Sequence, residues 1–491
     1  MIDAIVTGAD HVVAPREPVP PLTRRFKTVF ALGSTAEAIV YSTTAQFMLL
    51  FYNQVLGLDA AAVGTVIAAG LVVNAVFEPL IGSWSDRTRS PLGRRHPFMF
   101  AAILPLVISF YAIFRPPSGL GPGALLAWLA VANFVLIQSV TVFHTPHLAF
   151  GGELSTSYTE RSRVMSYNTF FLWAGDTACW LLSFAWFFRP APGYPNGALD
   201  PARWPAFAMA TTGFVLFSLV VTSVFTRSRI RYVPQTDPTT PPFRIGEMLR
   251  DVRRALSNAS FRMLLFGYTF LSFTSGVRAG LWIYTATYYW RLSNDQISFG
   301  VLGSLTGYLL GSALAAPLHA RIGKRWTGAG AVLLYSTGPA IPLALGHFGI
   351  MSPSTPWLMV WLIAFGITQH LPYSLLTTTV NSTMSDIADE NELRYGVRQE
   401  GVLYSTTTLF LKIDSALGSA LAGWMLSAIA FPVHAQPGGV AAGVLDKLAI
   451  AYVLCGVAGV VAAGFYARVR IDQASHDRVR AELTTLRQDP I

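Results

Sequence analysis

Along most of the 491-residue chain, apolar residues run for 18 to 29 positions at a time before a short polar or basic burst interrupts them. A helix needs about 20 predominantly apolar residues to cross the hydrocarbon core of a bilayer. Twelve stretches meet that length: 28–56, 61–84, 97–114, 123–150, 164–188, 205–226, 262–290, 297–318, 327–346, 356–382, 402–430 and 443–467. Several carry a proline, including Pro79, Pro146, Pro317 and Pro372. Membrane helices accept proline because neighbouring helices satisfy the freed backbone groups. The pattern predicts an all-α membrane protein with twelve transmembrane helices.

The loops orient it. With both ends cytoplasmic, the inside segments hold 28 of the 35 Lys and Arg residues. The outside loops hold five, Arg115, Arg189, Arg203, Arg291 and Lys447, and two more, Arg278 and Lys412, fall within spans. Such a bias marks the cytoplasmic face. The predicted organisation is a cytoplasmic tail (1–26), a six-helix bundle (27–227), a basic, Pro-rich connecting loop (228–260), a second six-helix bundle (261–467) and a second cytoplasmic tail (468–491). The halves are alike. A basic cluster follows span two (SDRTRSPLGRRHPF) and span eight (ARIGKRW), and Arg89 and Lys324 are 235 residues apart, as are Arg163 and Arg398. Paired repeats of this kind build many secondary transporters.

Composition narrows the class. Hydrophobic residues make up 52% and charged residues 12%, about half the charged share of soluble domains, with a mean hydropathy of +0.46. A soluble surface cannot be built from that. The net charge of +9 is spread in bursts between apolar stretches, so its expected partner is the lipid bilayer and not nucleic acid. The first residues lack the basic-then-apolar order of a cleaved signal and read as a cytoplasmic tail. Cys179 and Cys455 are isolated in apolar stretches, giving no disulfide framework or metal site. No cofactor is implied, and nothing in the pattern demands an oligomer, so a monomer is expected.

Six ionisable residues fall inside predicted spans: Glu37, Glu78, Asp176, Arg278, Lys412 and Asp414. Each costs roughly 2.5–3.5 kcal/mol at a helix centre on insertion scales, so such groups face a bundle interior or a wet cavity. Four acids and two bases cannot all pair one to one. At least two acids need a proton or a cation, as a cation-coupled carrier requires. Lys412 and Asp414 are two apart on one helix and point in different directions. His144, His147 and His370 are either hydrogen-bonded packing residues or members of a proton relay. Trp173, Trp282, Trp361 and Trp424 serve as packing or as stacking faces for a solute.

Four stretches carry a family resemblance: FALGSTAEAIVYSTTAQFMLLFYNQVLGL (30–58), NAVFEPLIGSWSDRTRSPLGRRHPF (74–98), HTPHLAFGGELSTSYTERSRVMSYN (144–168) and MSDIADENELRYGVRQEGVLYSTTTLFLKIDSALGSALAGW (384–424). Together they resemble the glycoside–pentoside–hexuronide cation symporters of the major facilitator superfamily. The resemblance implies a twelve-helix, alternating-access carrier coupled to sodium or protons and often moving sugars. It puts Glu78 at a second-span cation-site carboxylate, with Thr141 at the fourth-span position of that site. Asn74 stands where the family has another carboxylate one turn earlier, and Phe77 where it has a polar residue. A sodium ion wants several oxygen ligands, so these departures favour a proton as the coupling ion. Lys412 matches the family's lysine in span eleven, and His144 replaces its sugar-binding aspartate in span four. The expected solute contacts are Glu37, His144, Lys412, Asp414, Arg278 and Asp176. Asp86, Arg87, Arg89, Arg94, Arg95, Arg163 and Arg398 are expected to latch helix ends during the transport cycle.

The expected function is cation-coupled symport of a sugar or glycoside. An alternative cargo is an amphipathic solute such as a lysolipid or terpenoid. A non-transporting receptor and a membrane-embedded enzyme are remoter readings. The chain has no Asp-rich diphosphate motif, no His–Glu metal pair on a helix and no nucleophile elbow.

Overall fold

The computed structural model describes residues 20–155, 157–233, 245–395 and 400–469, with short pieces between 478 and 485. The long apolar runs are helices. Seven belong to the first half: α1 (Arg24–Leu50), α2 (Ala60–Arg87), α3 (His96–Phe114), α4 (Pro122–Glu153), α5 (Tyr158–Leu182), α6 (Trp204–Thr226) and the connecting-loop helix α7 (Ile245–Ala255). Seven follow: α8 (Ala259–Tyr284), α9 (Asn294–Phe299), α10 (Val301–Thr337), α11 (Ala340–His347), α12 (Leu358–Tyr395), α13 (Glu400–Ala428) and α14 (Ala442–Tyr466). Their starts follow ordinary capping chemistry. The Thr23, Ser157 and Asn258 side-chain oxygens accept from the backbone N–H groups of Phe26, Glu160 and Phe261. Prolines at the starts of α3, α4 and α6 occupy positions whose N–H has no helical partner in any case.

Among the described residues, nine helical segments are long and apolar enough to cross a membrane. One of them, Asn294–His347, is 54 residues long. As a single rod it would measure about 80 Å, against roughly 30 Å of hydrocarbon. The chain turns inside it at Gly323, which has φ +78°, a conformation open to a residue without a Cβ. The loop expected at 320–326 therefore shrinks to a one-residue break. Helices α1 and α8 have the length of a span, at 27 and 26 residues, but α1 carries Lys27, Glu37 and many hydroxyls, and α8 carries Arg278.

Three elements differ from the sequence expectation. The connecting loop contains α7, which packs on α13, while 234–244 lie outside the described residues. The tenth span continues helically to Tyr395, because Asp386 and Asn391 in the acidic extension find partners. Spans one, five and seven end in π-helical turns at Phe51–Val55, Ser183–Phe187 and Thr285–Tyr289. The first and third of these turns begin 234 residues apart, close to the 235-residue repeat read from the basic residues.

Two compact units form. The first comprises 20–51, 72–187 and 200–233 of the described residues. In it α1 packs on α5 and α6, and α3 on α4 and α6. Aromatic rings fill one end: Phe51 and Phe114 lie 4.5 and 5.5 Å from Trp204, and Phe47 packs on Phe207.

The second unit contains the later helices together with Tyr52–Leu71 and Phe188–Leu199. These two stretches of the first half fold with the second through specific bonds. Tyr284 donates to Asn53 and Tyr288 to Gln54, both at 3.0 Å, while the Gln54 amide donates to the Pro432 carbonyl. Ser427 bonds Asp59 at 2.7 Å, and Trp424 donates to Thr65 at 2.9 Å. Deeper in the unit, α10 and α12 approach through Gly303, Gly307 and Gly311 at four-residue spacing. A Cβ at Gly311 would lie 2.3 Å from the Leu371 carbonyl oxygen, so only a hydrogen fits. Small residues at this period let membrane helices pack closely enough for dispersion to hold them. Gly311→Val should lower stability by roughly 1–3 kcal/mol, the usual overpacking cost. A fall of several degrees in the unfolding midpoint of the detergent-purified protein would register it; an unchanged midpoint would mean these helices are not in close contact.

Candidate functional site

Helix α1 carries its acid on a face covered by α4, α5 and α6. Glu37 is 3% exposed. Its Oε2 lies 2.7 Å from Nδ1 of His144, and its Oε1 lies 3.4 Å from Nδ1 of His147. The histidines are three residues apart on α4, hence on one side of that helix. His144 is 30% exposed and His147 is 1% exposed. The Nε2 of His147 sits 2.9 Å from the Phe30 carbonyl oxygen. The sequence offered Glu37 and His144 as separate candidates; the fold joins them. Elsewhere along α1, Ser34 bonds Asn168 of α5, and Asp176 of α5 bonds Ser42.

A second constellation lies where α2 meets α4. Thr141 donates to Asn74 Oδ1 at 2.5 Å, and both side chains are buried. Glu78, one turn along α2 from Asn74, is half-buried. The three residues singled out for cation coupling thus lie on two neighbouring helices, with a direct bond linking Asn74 to Thr141.

In the second unit the charges go different ways. Arg278 is 1% exposed and donates to the Tyr335 and Ser336 carbonyls, both at 2.6 Å, with its guanidinium 5.5 Å from the Tyr335 and Tyr452 ring centres. It ties α8 to α10 and α14. Two of its guanidinium nitrogens donate to backbone oxygens, so the side chain expected to meet solute also packs three helices together. Asp414 on α13 is buried beside Thr269 of α8, and Lys412 is half-buried.

At the helix ends the basic clusters find acids. Arg95 donates to Ser85 at 2.7 Å and reaches Asp86 at 2.5 Å and Glu153 at 2.7 Å. Arg94 reaches the same Glu153 oxygen at 2.8 Å. This joins the ends of α2 and α4 to the start of α3. Glu153 was not singled out from the sequence, although it stands in the GGELSTS stretch beside the basic run. Arg87 is half-buried, and Arg89 is exposed and outside this cluster. Arg163 is exposed and reaches only Glu160, one turn away at 3.4 Å. Arg398 lies outside the described residues. In the second unit Lys324 holds Asp386 of α12 at 2.6 Å, so each repeat ties a base after its second span to an acid at the end of its fourth. Lys27 at the start of α1 bonds Glu160 at 2.6 Å, and that ammonium holds the Glu160 carboxyl below the usual carboxylate range.

Ionisable groups partnered inside long apolar helices, with basic clusters fastening the helix ends, define a polytopic helical membrane protein built to carry charge and solute through its interior. Comparison with known proteins agrees. The inner membrane symporter YicJ of Escherichia coli (strain K12) is 26% identical over 407 residues, covering 83% of each chain. The putative glycoside/cation symporter YagG of the same organism is 26% identical, covering 94% of each. The isoprimeverose transporter of Lactiplantibacillus pentosus is 23% identical, covering 85% of this chain and 82% of its own. Among solved structures, a bacterial homologue of the human lysosomal transporter Spinster superposes with a TM-score of 0.63 at 13% identity, covering 94% of this chain and 99% of its own, a likeness of fold. Residues 29–473 match the family described as MFS/sugar transport protein. The chain belongs to that family, the glycoside–pentoside–hexuronide cation symporters of the major facilitator superfamily, and is an integral membrane secondary transporter.

Two predictions follow from the ion pairs at the helix ends. Glu153→Ala leaves Arg94 and Arg95 facing each other with their shared acid gone, and should destabilise the protein by roughly 3 kcal/mol. Thermal unfolding in detergent measures this, and a change below a few tenths would remove Glu153 from the latch. The Lys27–Glu160 bond acts through a lowered carboxyl pKa, so its stabilisation is present above the unfolded-state value of about 4.3 and fades as pH falls through the lower folded value. Glu160→Gln should therefore lower the unfolding midpoint slightly at pH 7, less at high salt, with the difference from wild type closing in acid.

Proposed function

We propose that this chain is a proton-coupled symporter for a sugar or glycoside in the bacterial inner membrane. It works as a monomer of twelve spans in two six-helix repeats, with both termini cytoplasmic, by alternating access. Counting Asn294–His347 as two passes and adding α1 and α8 to the remaining apolar segments supports the number twelve. The inner membrane location and the sugar class rest on relatives named for them.

The Thr141–Asn74 bond carries the reading of the coupling ion. A sodium ion is held by several oxygens at once, and here Asn74 Oδ1 already accepts the Thr141 hydroxyl. Turning both oxygens onto one ion would strain that bond in a buried site, against a net hydrogen-bond contribution of about 0.5–1.5 kcal/mol. A proton on Glu78 needs no such shell. The cycle then runs through charge: a neutral Glu78 tolerates the low-dielectric interior while solute is bound, and releases its proton where water reaches it. For the solute, the first unit offers His144 and Asp176, and the second offers Lys412 and Asp414. Hydroxyl groups of a sugar suit each of these side chains, as a donor or as an acceptor.

Uptake into proteoliposomes tests the proposal. Labelled glycosides, with a lysolipid as the alternative cargo, are offered under an imposed proton gradient or an imposed sodium gradient. Accumulation of a glycoside with the proton gradient alone is expected, and Glu78→Gln should reduce it at least tenfold, to the passive level. Accumulation with sodium alone, or an undiminished Glu78→Gln, would overturn the coupling role.

A further inference from the structure

The Glu37 cluster contains more chemistry than solute binding uses. The Phe30 carbonyl can only accept a hydrogen bond, so Nε2 of His147, 2.9 Å away, carries a hydrogen. A neutral His147 then turns a bare Nδ1 toward Glu37. It meets Oε1 at 3.4 Å, a buried carboxylate oxygen with no hydrogen-bond donor. Two lone pairs facing each other in low dielectric repel, and an unpaired buried carboxylate oxygen is costly. One proton, on Oε1 or on Nδ1, relieves both. The other carboxylate oxygen is 2.7 Å from Nδ1 of His144, within the range of a charge-assisted bond. His144 is partly exposed while Glu37 and His147 are sealed, so His144 is the member of the cluster that reaches its surface.

We propose that Glu37, His144 and His147 form a second proton-binding site, distinct from Glu78, in which a proton is shared between the carboxylate and the two imidazoles. Entry balances simply. The His144 ring takes a proton at Nε2 and gives its Nδ1 proton to Glu37 Oε2. With the carboxyl neutral, its Oε1 no longer carries the charge that repels the Nδ1 lone pair of His147. Nitrogen donors suit a proton and not sodium, which prefers oxygen ligands. Each imidazole is directed at a different carboxylate oxygen, and no described group of His, Cys, Asp or Glu side chains is arranged to hold a metal ion.

The surrounding charges are few. From α5, Asp176 bonds Ser42 of α1. From α2, Glu78 acts on the Tyr41 hydroxyl of α1, on which Glu37 also acts. From α3, His96 is within electrostatic range of His147 and of Arg227, beyond the end of α6. On α1 itself the nearest base is Lys27, held by Glu160. His144 is one helical turn from Thr141 on α4. The two proton sites can sense each other through that short stretch of α4.

The inference rests on the proton-coupled reading, but its test does not need transport. pH-induced infrared difference spectra of the purified protein in lipid, with isotope-labelled histidine, report the carboxyl and imidazole bands at equilibrium. Wild type is expected to give a buried-carboxyl band and histidine bands that change over one shared pH interval. Glu37→Gln should remove that carboxyl band and move the histidine midpoint by about one pH unit or more, a tenfold change in proton affinity. If this variant does not fold, His144→Gln must uncouple the remaining carboxyl and His147 bands. Histidine bands that titrate identically in wild type and Glu37→Gln would overturn the proposal. So would a carboxyl band that survives Glu37→Gln and disappears in Glu78→Gln. A failure of gradient-driven uptake leaves these spectra intact, so the two readings stand or fall separately.

Discussion

The burial of Glu37 sets a condition that the first unit has to meet. A carboxylate within apolar helices needs a donor, a cation or a proton, and lipid supplies none of them. The chain answers with two imidazoles from one face of α4, and one of those rings is itself fixed by the Phe30 carbonyl. The requirement reaches outward, since α1 has to hold register with α4 for both contacts to exist. The Ser34–Asn168 and Thr35–Phe171 bonds fix α1 against α5, and Thr222 of α6 donates to Val29. A span-length helix interrupted by Glu37 and several hydroxyls is kept in place by polar bonds to its neighbours.

Both units divide the work in the same way. Apolar faces and close glycine contacts hold the helices along their length, and ion pairs fasten them at the ends. The Arg94–Arg95–Glu153–Asp86 cluster and the Lys324–Asp386 pair occupy corresponding places in the two repeats. In lipid the hydrophobic effect does little to bring helices together, so steric fit and polar bonds carry more of the load than in a soluble bundle. Arg278 is a clear case: its charge is spent on two backbone oxygens and two aromatic faces.

The first unit holds two polar centres, Glu78 with Asn74 and Thr141, and Glu37 with His144 and His147. On the reading proposed above, each is a separate place for a proton. Thr141 and His144, one helical turn apart on α4, bring the two centres onto one stretch of that helix.

The sequence by itself determined the class. Apolar run length is a direct reading of bilayer thickness, and the Lys and Arg bias sets the expected cytoplasmic face. It also named the acids, because an ionisable residue in an oily run is conspicuous wherever it points. Partners were not legible. Glu37 and His144 are 107 residues apart and Arg95 and Glu153 are 58 apart, and no local rule joins them. Glu153 escaped notice because an acid at a helix end looks like any solvated residue until an arginine is folded onto it. Arg278 was legible as a span-embedded charge in need of partners, and only tertiary structure showed that two backbone carbonyls are among them. The one-residue break at Gly323 and the folding of Tyr52–Leu71 with the second unit were likewise settled by packing, since both depend on which surfaces a segment meets and not on its own composition.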